Sequence, residues 1–463
     1  MFRKRLILII ASISVFFEAL DIAIVNLTMP MIQHTFELTT NQVQWLQTLY
    51  VLLYGGLLIL GGRLADTFGR KRTFLIASSL FLLTSFGAGL AGSFGWLVGF
   101  RSLQGVAAAL LMPSAISIVT NTFTDTASRS RAIGIVSAFA AIGSGSGLSV
   151  GGLVASEYGW QWVFFMNVPV ILLTLLLGYR YIPADEPQHE SIPDISLGLL
   201  LSITITALSY LVHELGQWHT KFIELTLLAL LIAGGIVLFV KRNARQAEPL
   251  VNFTILKPSL PSVGVFVCLG ASFTGYLFLI SLLLQSDQHK SAMQAGILLF
   301  PFSILSAITG KVLLPILLKR FTIVQIALMG MASLTISALL LLYHIQSVPG
   351  NQLPLLLSMA CANGIGIALA YSGLTVLSMQ QIDEAYHGLA SGVATTAYFF
   401  GGGLGLSGLS LFLGNDASTD LIVGTKPLSV LAIYAGVGVL ILIIYAIRAG
   451  KVRRSPVLQT EQQ

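Results

Sequence analysis

The chain has 463 residues, of which 55% are hydrophobic and 10% charged, and its mean hydropathy is +0.86. Soluble domains carry about 25% charged residues, so a soluble globular domain is excluded. The net charge of +6 does not point to nucleic acid either, because the basic residues stand in short groups between long apolar runs, as loop charges of a membrane protein do.

Stretches of about 20 apolar residues are each long enough for one bilayer crossing. Fourteen occur, at about 6–28, 42–62, 73–91, 95–119, 131–154, 161–182, 195–213, 223–240, 261–284, 292–317, 322–344, 352–379, 388–413 and 428–447. Cys268 and Cys361 both fall inside such runs, so no disulfide is expected. The first run follows Arg3, Lys4 and Arg5 in the manner of a signal peptide. It is too long for one, carries Glu18 and Asp21, and has no small-residue cleavage site, so it is read as span 1.

Glu18 and Asp21 are three residues apart and share one helical face. A carboxylate at membrane depth is costly and faces a cavity or a partner. Burial and mutual repulsion both work against two charges there, which makes the pair the candidate for binding and releasing a proton. A structural polar contact near the helix end is the alternative. Phe17 in span 1, Trp45, Tyr50 and Tyr54 in span 2, and Tyr371 and Tyr398 in the second half are candidates to line an apolar substrate cavity, with simple packing as the alternative for each.

Between spans 2 and 3, Gly62 to Arg72 packs four cations, Asp66 and two glycines into a short turn. Such a cluster cannot lie in hydrocarbon and must be a tight loop outside it. Asp66 with Arg70 is read as a conformational latch whose charges exchange partners when helices move; topology-setting by the charges alone is the alternative. Arg101 is the one arginine buried in a span of the first half. A permanent cation there favours the charged form of a nearby carboxylate and is a candidate for proton coupling, unless it snorkels to the nearer interface. In span 5, Gly143, Gly147, Gly151 and Gly152 form a stripe that admits a second helix at close range.

A polar break at 183–194 ends the first six spans, and a basic one at 241–260 precedes the last six. The expected layout is therefore 6 + 2 + 6: a first bundle over 1–182, a segment 183–260 holding a loop, spans 7 and 8 and a basic linker, a second bundle over 261–450, and a disordered tail over 451–463. Gly310-Lys311 to Lys319-Arg320-Phe321 is a degraded copy of the 62–72 loop at the equivalent point of the second bundle, as internal repeats would give. With the N-terminus inside, 20 of the 25 Lys and Arg fall on the cytoplasmic side, and Trp45, Trp96, Trp160, Trp162 and Trp218 all reach the outer interface. Both termini are thus expected in the cytoplasm.

Gly62-Arg-Leu-Ala-Asp-Thr-Phe-Gly-Arg-Lys-Arg72 resembles the signature loop of the major facilitator superfamily, with Thr67 in place of its usual basic residue. Leu20-Asp-Ile-Ala-Ile-Val-Asn-Leu-Thr-Met-Pro30 resembles the span-1 signature of that superfamily's fourteen-span drug:proton antiporters, with Ala23 for its threonine. Arg101-Ser-Leu-Gln-Gly-Val-Ala-Ala108 is similar to its span-4 signature. The span-5 glycines resemble the exchanger signature Gly-x-x-x-Gly-Pro-x-x-Gly-Gly, but Leu148 stands at the proline, and its loss is expected to remove the kink. The resemblance implies a major facilitator fold of fourteen transmembrane helices in two pseudo-symmetric six-helix bundles, a proton-binding role for Asp21, and a proton-transfer role for Arg101. Glu18 lies outside the motif and rests on the physical argument alone.

The expected function is proton-coupled efflux of amphipathic or cationic small molecules by alternating access. It would need no cofactor or metal, and its partners would be substrate, protons and the lipid bilayer. A monomer in the plasma membrane, the inner membrane of a bacterium, is expected. A proton symporter or facilitator for a nutrient is the alternative within transport. A membrane sensor is the alternative outside it. A membrane enzyme is disfavoured by the lack of His-x-x-x-His, Gly-x-Ser-x-Gly and phosphate-loop motifs.

Overall fold

Inside a bilayer every backbone N–H and C=O must be satisfied within its own segment, so apolar runs of this length become helices. The computed structural model describes residues 2–184, 194–246, 249–346, 351–380, 382–383, 386–413 and 423–453. The long helices are α1 (Phe2–Thr35), α2 (Thr40–Phe68), α3 (Arg70–Gly89), α4 (Phe94–Thr122), α5 (Thr126–Tyr158), α6 (Trp162–Tyr181) and α7 (Ile195–Gln217). They continue with α8 (Phe222–Ala244), α9 (Phe253–Asp287), α10 (Ala292–Leu317), α11 (Ile323–Gln346), α12 (Leu353–Met379), α13 (His387–Ser410) and α14 (Thr425–Arg453). No strand occurs among the described residues.

Twelve of these helices are long and apolar enough to cross a membrane, or thirteen if the bent α5 is one span. The fourteen crossings expected from the apolar runs are therefore met only in part. The shortfall lies in α5 and α13, the two helices richest in glycine and serine. Small residues let helices approach closely in lipid but dilute apolarity. A second expectation is corrected in α5. It bends by 43° between Arg131–Ser144 and Ser149–Tyr158 although it lacks the proline. The run Gly143-Ser144-Gly145-Ser146-Gly147 supplies the weak point instead.

α1 packs along α5, α4 and α6, and α4 also packs on α2 and α3. In the second half α9 packs on α13, α14 and α12, and α11 on α14 and α12. The halves meet where α2 touches α13 and α5 touches α10, with a smaller contact between α1 and α9. The second and fifth helices of one six-helix set thus face the fifth and second of the other. α7 packs on both α2 and α13, so it lies over one of these two seams, and α8 packs chiefly on α7.

The break at 183–194 falls mostly on 185–193, outside the described residues. The basic break at 241–260 is shorter than expected, because α8 runs to Ala244 and the chain is helical again from Phe253. Asn243 bridges the turn: its Nδ2 donates to the Val251 carbonyl at 2.7 Å and its Oδ1 accepts from the Val251 N–H at 3.1 Å. The tail expected as disordered from 451 is helical through Arg453, and 454–463 lie outside the described residues.

Candidate functional site

Two close approaches set α2 against α4. A Cβ on Gly61 would stand 2.1 Å from the Ala109 carbonyl oxygen, and one on Gly105 would stand 2.5 Å from that of Tyr50. Glycine at both positions brings the backbones together and seats Arg101, one turn before Gly105, beneath the Tyr50 ring. The guanidinium carbon lies 4.1 Å from the ring centroid, a cation–π contact.

Arg101 is fully buried, and its Nη1 lies 2.5 Å from Asp21 Oδ2. The same nitrogen donates to Gln104 Oε1 at 3.0 Å. Asp21 Oδ1 accepts from Asn167 Nδ2 at 2.9 Å and from Gln104 Nε2 at 3.3 Å. Asn167 also donates to Ser85 Oγ at 3.2 Å, and Ser85 donates to the Phe164 carbonyl at 2.9 Å. Helices α1, α3, α4 and α6 are thereby tied at one buried carboxylate. A buried pair is costly to desolvate and depends on such added hydrogen bonds. The site is not saturated: Arg101 Nε and Nη2, Asn167 Oδ1, the Tyr50 hydroxyl and Glu18 Oε1 have no hydrogen-bond partner.

Glu18 and Asp21 thus stand in different surroundings. Asp21 is enclosed by donors, whereas the buried Glu18 side chain meets that of Tyr54 and leaves Oε1 without a partner. Tyr54 donates to the Met112 sulfur at 3.0 Å and lies 4.2 Å, centroid to centroid, from Phe399 of α13. Met112 lines a cavity of about 810 Å³ that also touches Leu58, Pro113, Thr395, Arg63, Asp66 and Tyr386. Glu18 does not line the cavity; Tyr54 and Met112 stand in line between the two.

The cavity opens toward the end that carries the 62–72 turn. There Asp66 Oδ1 lies 3.7 Å from Arg70 Nε, which donates to Ser117 Oγ at 2.9 Å. Arg63 Nη2 donates to the Pro249 carbonyl at 2.7 Å. Gly69, with φ 92°, makes the turn into α3. The opposite end is closed by contacts between the halves. The Met293 N–H donates to Ser156 Oγ at 3.0 Å, Ser149 Oγ donates to the Gly296 carbonyl at 2.9 Å, and Ser281 Oγ donates to the Asn26 carbonyl at 2.6 Å.

Of the other residues singled out in the sequence, Gly143 and Gly147 lie against the backbone of α1 at Phe16 and Leu20, Gly151 lies against Ile24, and Gly152 lies against the Ala292 carbonyl of α10. Tyr371 and Tyr398 meet edge to face at 5.7 Å, and Phe17 packs on Phe16. Trp45 stands apart from this group, at the far end of α2, packed on Tyr210 and His213 of α7. Gln104, Asn167, Ser85, Met112 and Phe399 were not singled out. A glutamine one turn after Arg101 and an asparagine in an apolar run were the signals available for the first two. Among the described residues no group of three His, Cys, Asp or Glu is placed to hold a metal ion.

A helical membrane protein with a cavity at one end, contacts between its halves at the other and a buried ion pair within its first half has the arrangement of a transporter. The family model described as Major Facilitator Superfamily matches residues 11–406, and the chain belongs to that family. It is 30% identical over 442 residues to the lincomycin resistance protein of Streptomyces lincolnensis, covering 94% of this chain and 89% of that one. It is 26% identical to the methyl viologen resistance protein SmvA of Salmonella typhimurium, over 91% of this chain and 85% of that one. Its fold is similar to that of a solved peptide transporter in complex with sulfate, with a TM-score of 0.71, 16% identity, and coverage of 96% of this chain and 94% of that one.

Proposed function

We propose that the chain exports amphipathic small molecules, cationic or neutral, in exchange for protons, with Glu18 as the exchangeable proton site. The observation that carries this reading is the unpartnered Glu18 oxygen, buried on the same helix face as Asp21 and linked to the cavity wall through Tyr54 and Met112. A carboxylate with no fixed counter-ion can hold a proton in one state and release it when the surroundings change. The resistance proteins to which the chain is similar support export as the direction.

In this reading α5 and α13 complete fourteen spans, arranged as bundles over 1–182 and 261–450 with α7 and α8 between them. The end bearing Asp66 and Arg70 is cytoplasmic, as are both termini, so the conformation is inward-open. Protons load from outside onto Glu18, with Asp21 and Arg101 setting how firmly it holds them. Protonation favours closure of the outer side, and the bundles rock to face inward. Proton release to the cytoplasm and substrate capture, with Tyr50, Tyr54, Phe17, Tyr371 and Tyr398 along the path, restore the loaded state. Asp66 and Arg70 act as the latch of the inner end. One proton moved down the membrane potential supplies about 2.3 kcal/mol per 100 mV, without a cofactor. The protein acts as a monomer in the bacterial inner membrane.

The test is purified protein in liposomes containing a pH dye, under an imposed pH gradient, with a panel of monovalent lipophilic cations, neutral amphiphiles and methyl viologen as a divalent probe. Substrate-dependent proton flux that vanishes in Glu18→Gln is expected. Monovalent and neutral substrates are expected to lead, because the second bundle offers no further acid at membrane depth among the described residues. Flux that persists in Glu18→Gln moves the proton site elsewhere.

A further inference from the structure

A second cavity, of about 250 Å³, lies outside the transport path at the end of the molecule that bears the 62–72 turn. It is bounded by the first turn of α1, the first turn of α3 and the last turns of α4 and α6. Arg3, Lys4, Arg70 and Lys71 supply four cations to its wall, and no carboxylate lines it among the described residues. Its floor is apolar, built by Ile7, Ile118 and Ile182. At this size it is smaller than the roughly 300–1,000 Å³ of pockets for drug-sized ligands. A headgroup would fit, with the rest of its molecule outside.

Three of the four cations are held in place by the protein. Arg3 Nε donates to the Tyr181 carbonyl at 3.0 Å and Lys71 Nζ to the Tyr179 carbonyl at 2.9 Å. Lys71 also stands 5.6 Å from the centre of the Tyr179 ring. Arg70 is buried. Arg70 and Lys71 begin α3, whose N-terminus has no side-chain cap, so the partial positive charge of the helix end adds to theirs. Around the mouth, Phe2 and Tyr179 are 75% and 72% exposed. Large apolar and aromatic side chains at that level are what a membrane interface receives.

We propose that this pocket binds the phosphate of an anionic phospholipid, with the acyl chains running down the outside of α3 and α6. Fixed cations at the interface, an apolar floor and exposed rings beside the mouth match the two halves of such a molecule. Arg70 connects the site to the transport machinery, because the same guanidinium meets Asp66 and Ser117. A bound phosphate shares Arg70 with Asp66 and so bears on the turn at the cavity mouth.

The test uses the full purified chain in detergent, titrated with phosphatidylglycerol or phosphatidylcholine and read by native mass spectrometry and thermal shift. Phosphatidylglycerol is expected to bind more tightly. Each cation removed should weaken it about fivefold, so Lys4→Gln with Lys71→Gln should lose about 25-fold. Arg448→Gln, at the same end of the molecule but outside the pocket, should leave binding unchanged. Arg3→Gln with Lys4→Gln, both exposed at the start of α1, repeats the test if Lys71→Gln lowers the folded yield. Equal binding of the two lipids, or a preference that survives these substitutions, overturns the proposal. A shift of equal size with inorganic phosphate alone, lost in the same variants, assigns the pocket to free phosphate and overturns the lipid.

Discussion

Asp21 and Arg101 come from helices eighty residues apart in sequence, yet they meet at 2.5 Å with neither side chain exposed. Removing one member of a buried pair leaves the other uncompensated, at a cost of about 3–5 kcal/mol. Asp21→Asn is therefore expected to lower the thermal stability of the purified protein and to abolish gradient-driven transport. Adding Arg101→Gln should recover most of the stability while transport stays absent. Near-normal transport in Asp21→Asn would remove the pair from the mechanism.

Glu18 offers a contrast. Its Oε1 has no partner, so Glu18→Gln breaks no ion pair and is expected to unfold at the wild-type temperature or above it. Substrate exchange between two sides at equal pH should continue, while uphill transport driven by a pH gradient is lost. Loss of both activities in a folded variant would assign Glu18 to substrate binding instead of coupling.

At Gly105 the constraint is steric. The 2.5 Å between an added Cβ and the Tyr50 carbonyl oxygen lies inside any real contact, and neither backbone can yield without parting α2 from α4. Gly105→Ala is expected to cost about 1–3 kcal/mol, read as a lower unfolding temperature, and to loosen Arg101 from Tyr50. An unchanged unfolding temperature would show that the two helices part freely.

Asp194 begins α7 and accepts from the Ser196 hydroxyl at 2.6 Å, the Arg242 guanidinium at 2.7 Å, the Gln246 amide at 2.9 Å and the Leu197 N–H at 3.2 Å. The Ser196 hydrogen bond, with help from Arg242 and Leu197, holds its carboxyl below the ordinary range. Its contribution is complete above the ordinary carboxylate pKa of about 3.9 and is lost as pH falls through the lowered value. Amide protection in the first turn of α7, taken relative to the intrinsic exchange rate at each pH, should therefore fall on acidification below that range, and Asp194→Ala, which removes a cap worth about 1 kcal/mol, should show the lower protection already at neutral pH. Equal exchange in the two proteins would mean that the cap is not what holds the turn.

The parts of this site that the sequence made legible are those that break an apolar pattern. Glu18, Asp21 and Arg101 stand out because a charge in a long hydrophobic run needs a reason. Asn167, Ser85 and Met112 do not, because a lone amide, hydroxyl or thioether is unremarkable in a span, and only the packing of α6 on α1 and of α3 on α6 brings Asn167 to Asp21 and Ser85 to Asn167. The bend in α5 is not legible from the missing proline, because the glycine–serine run from 143 to 147 weakens the helix without one. The distinction between Asp21, enclosed by donors, and Glu18, with one oxygen left unpartnered, rests on contacts across helices that no spacing along α1 encodes.

α7 spans the seam where α2 meets α13. Ser209 shares a hydrogen bond with Ser407 at 2.7 Å, His213 with Ser410 at 2.8 Å, and Ser202 sits against Gly56 of α2. The seam between α5 and α10 has no helix laid over it in this way among the described residues. The two contacts between the halves therefore meet the bilayer unequally: one lies behind a further helix, and the other faces the acyl chains directly.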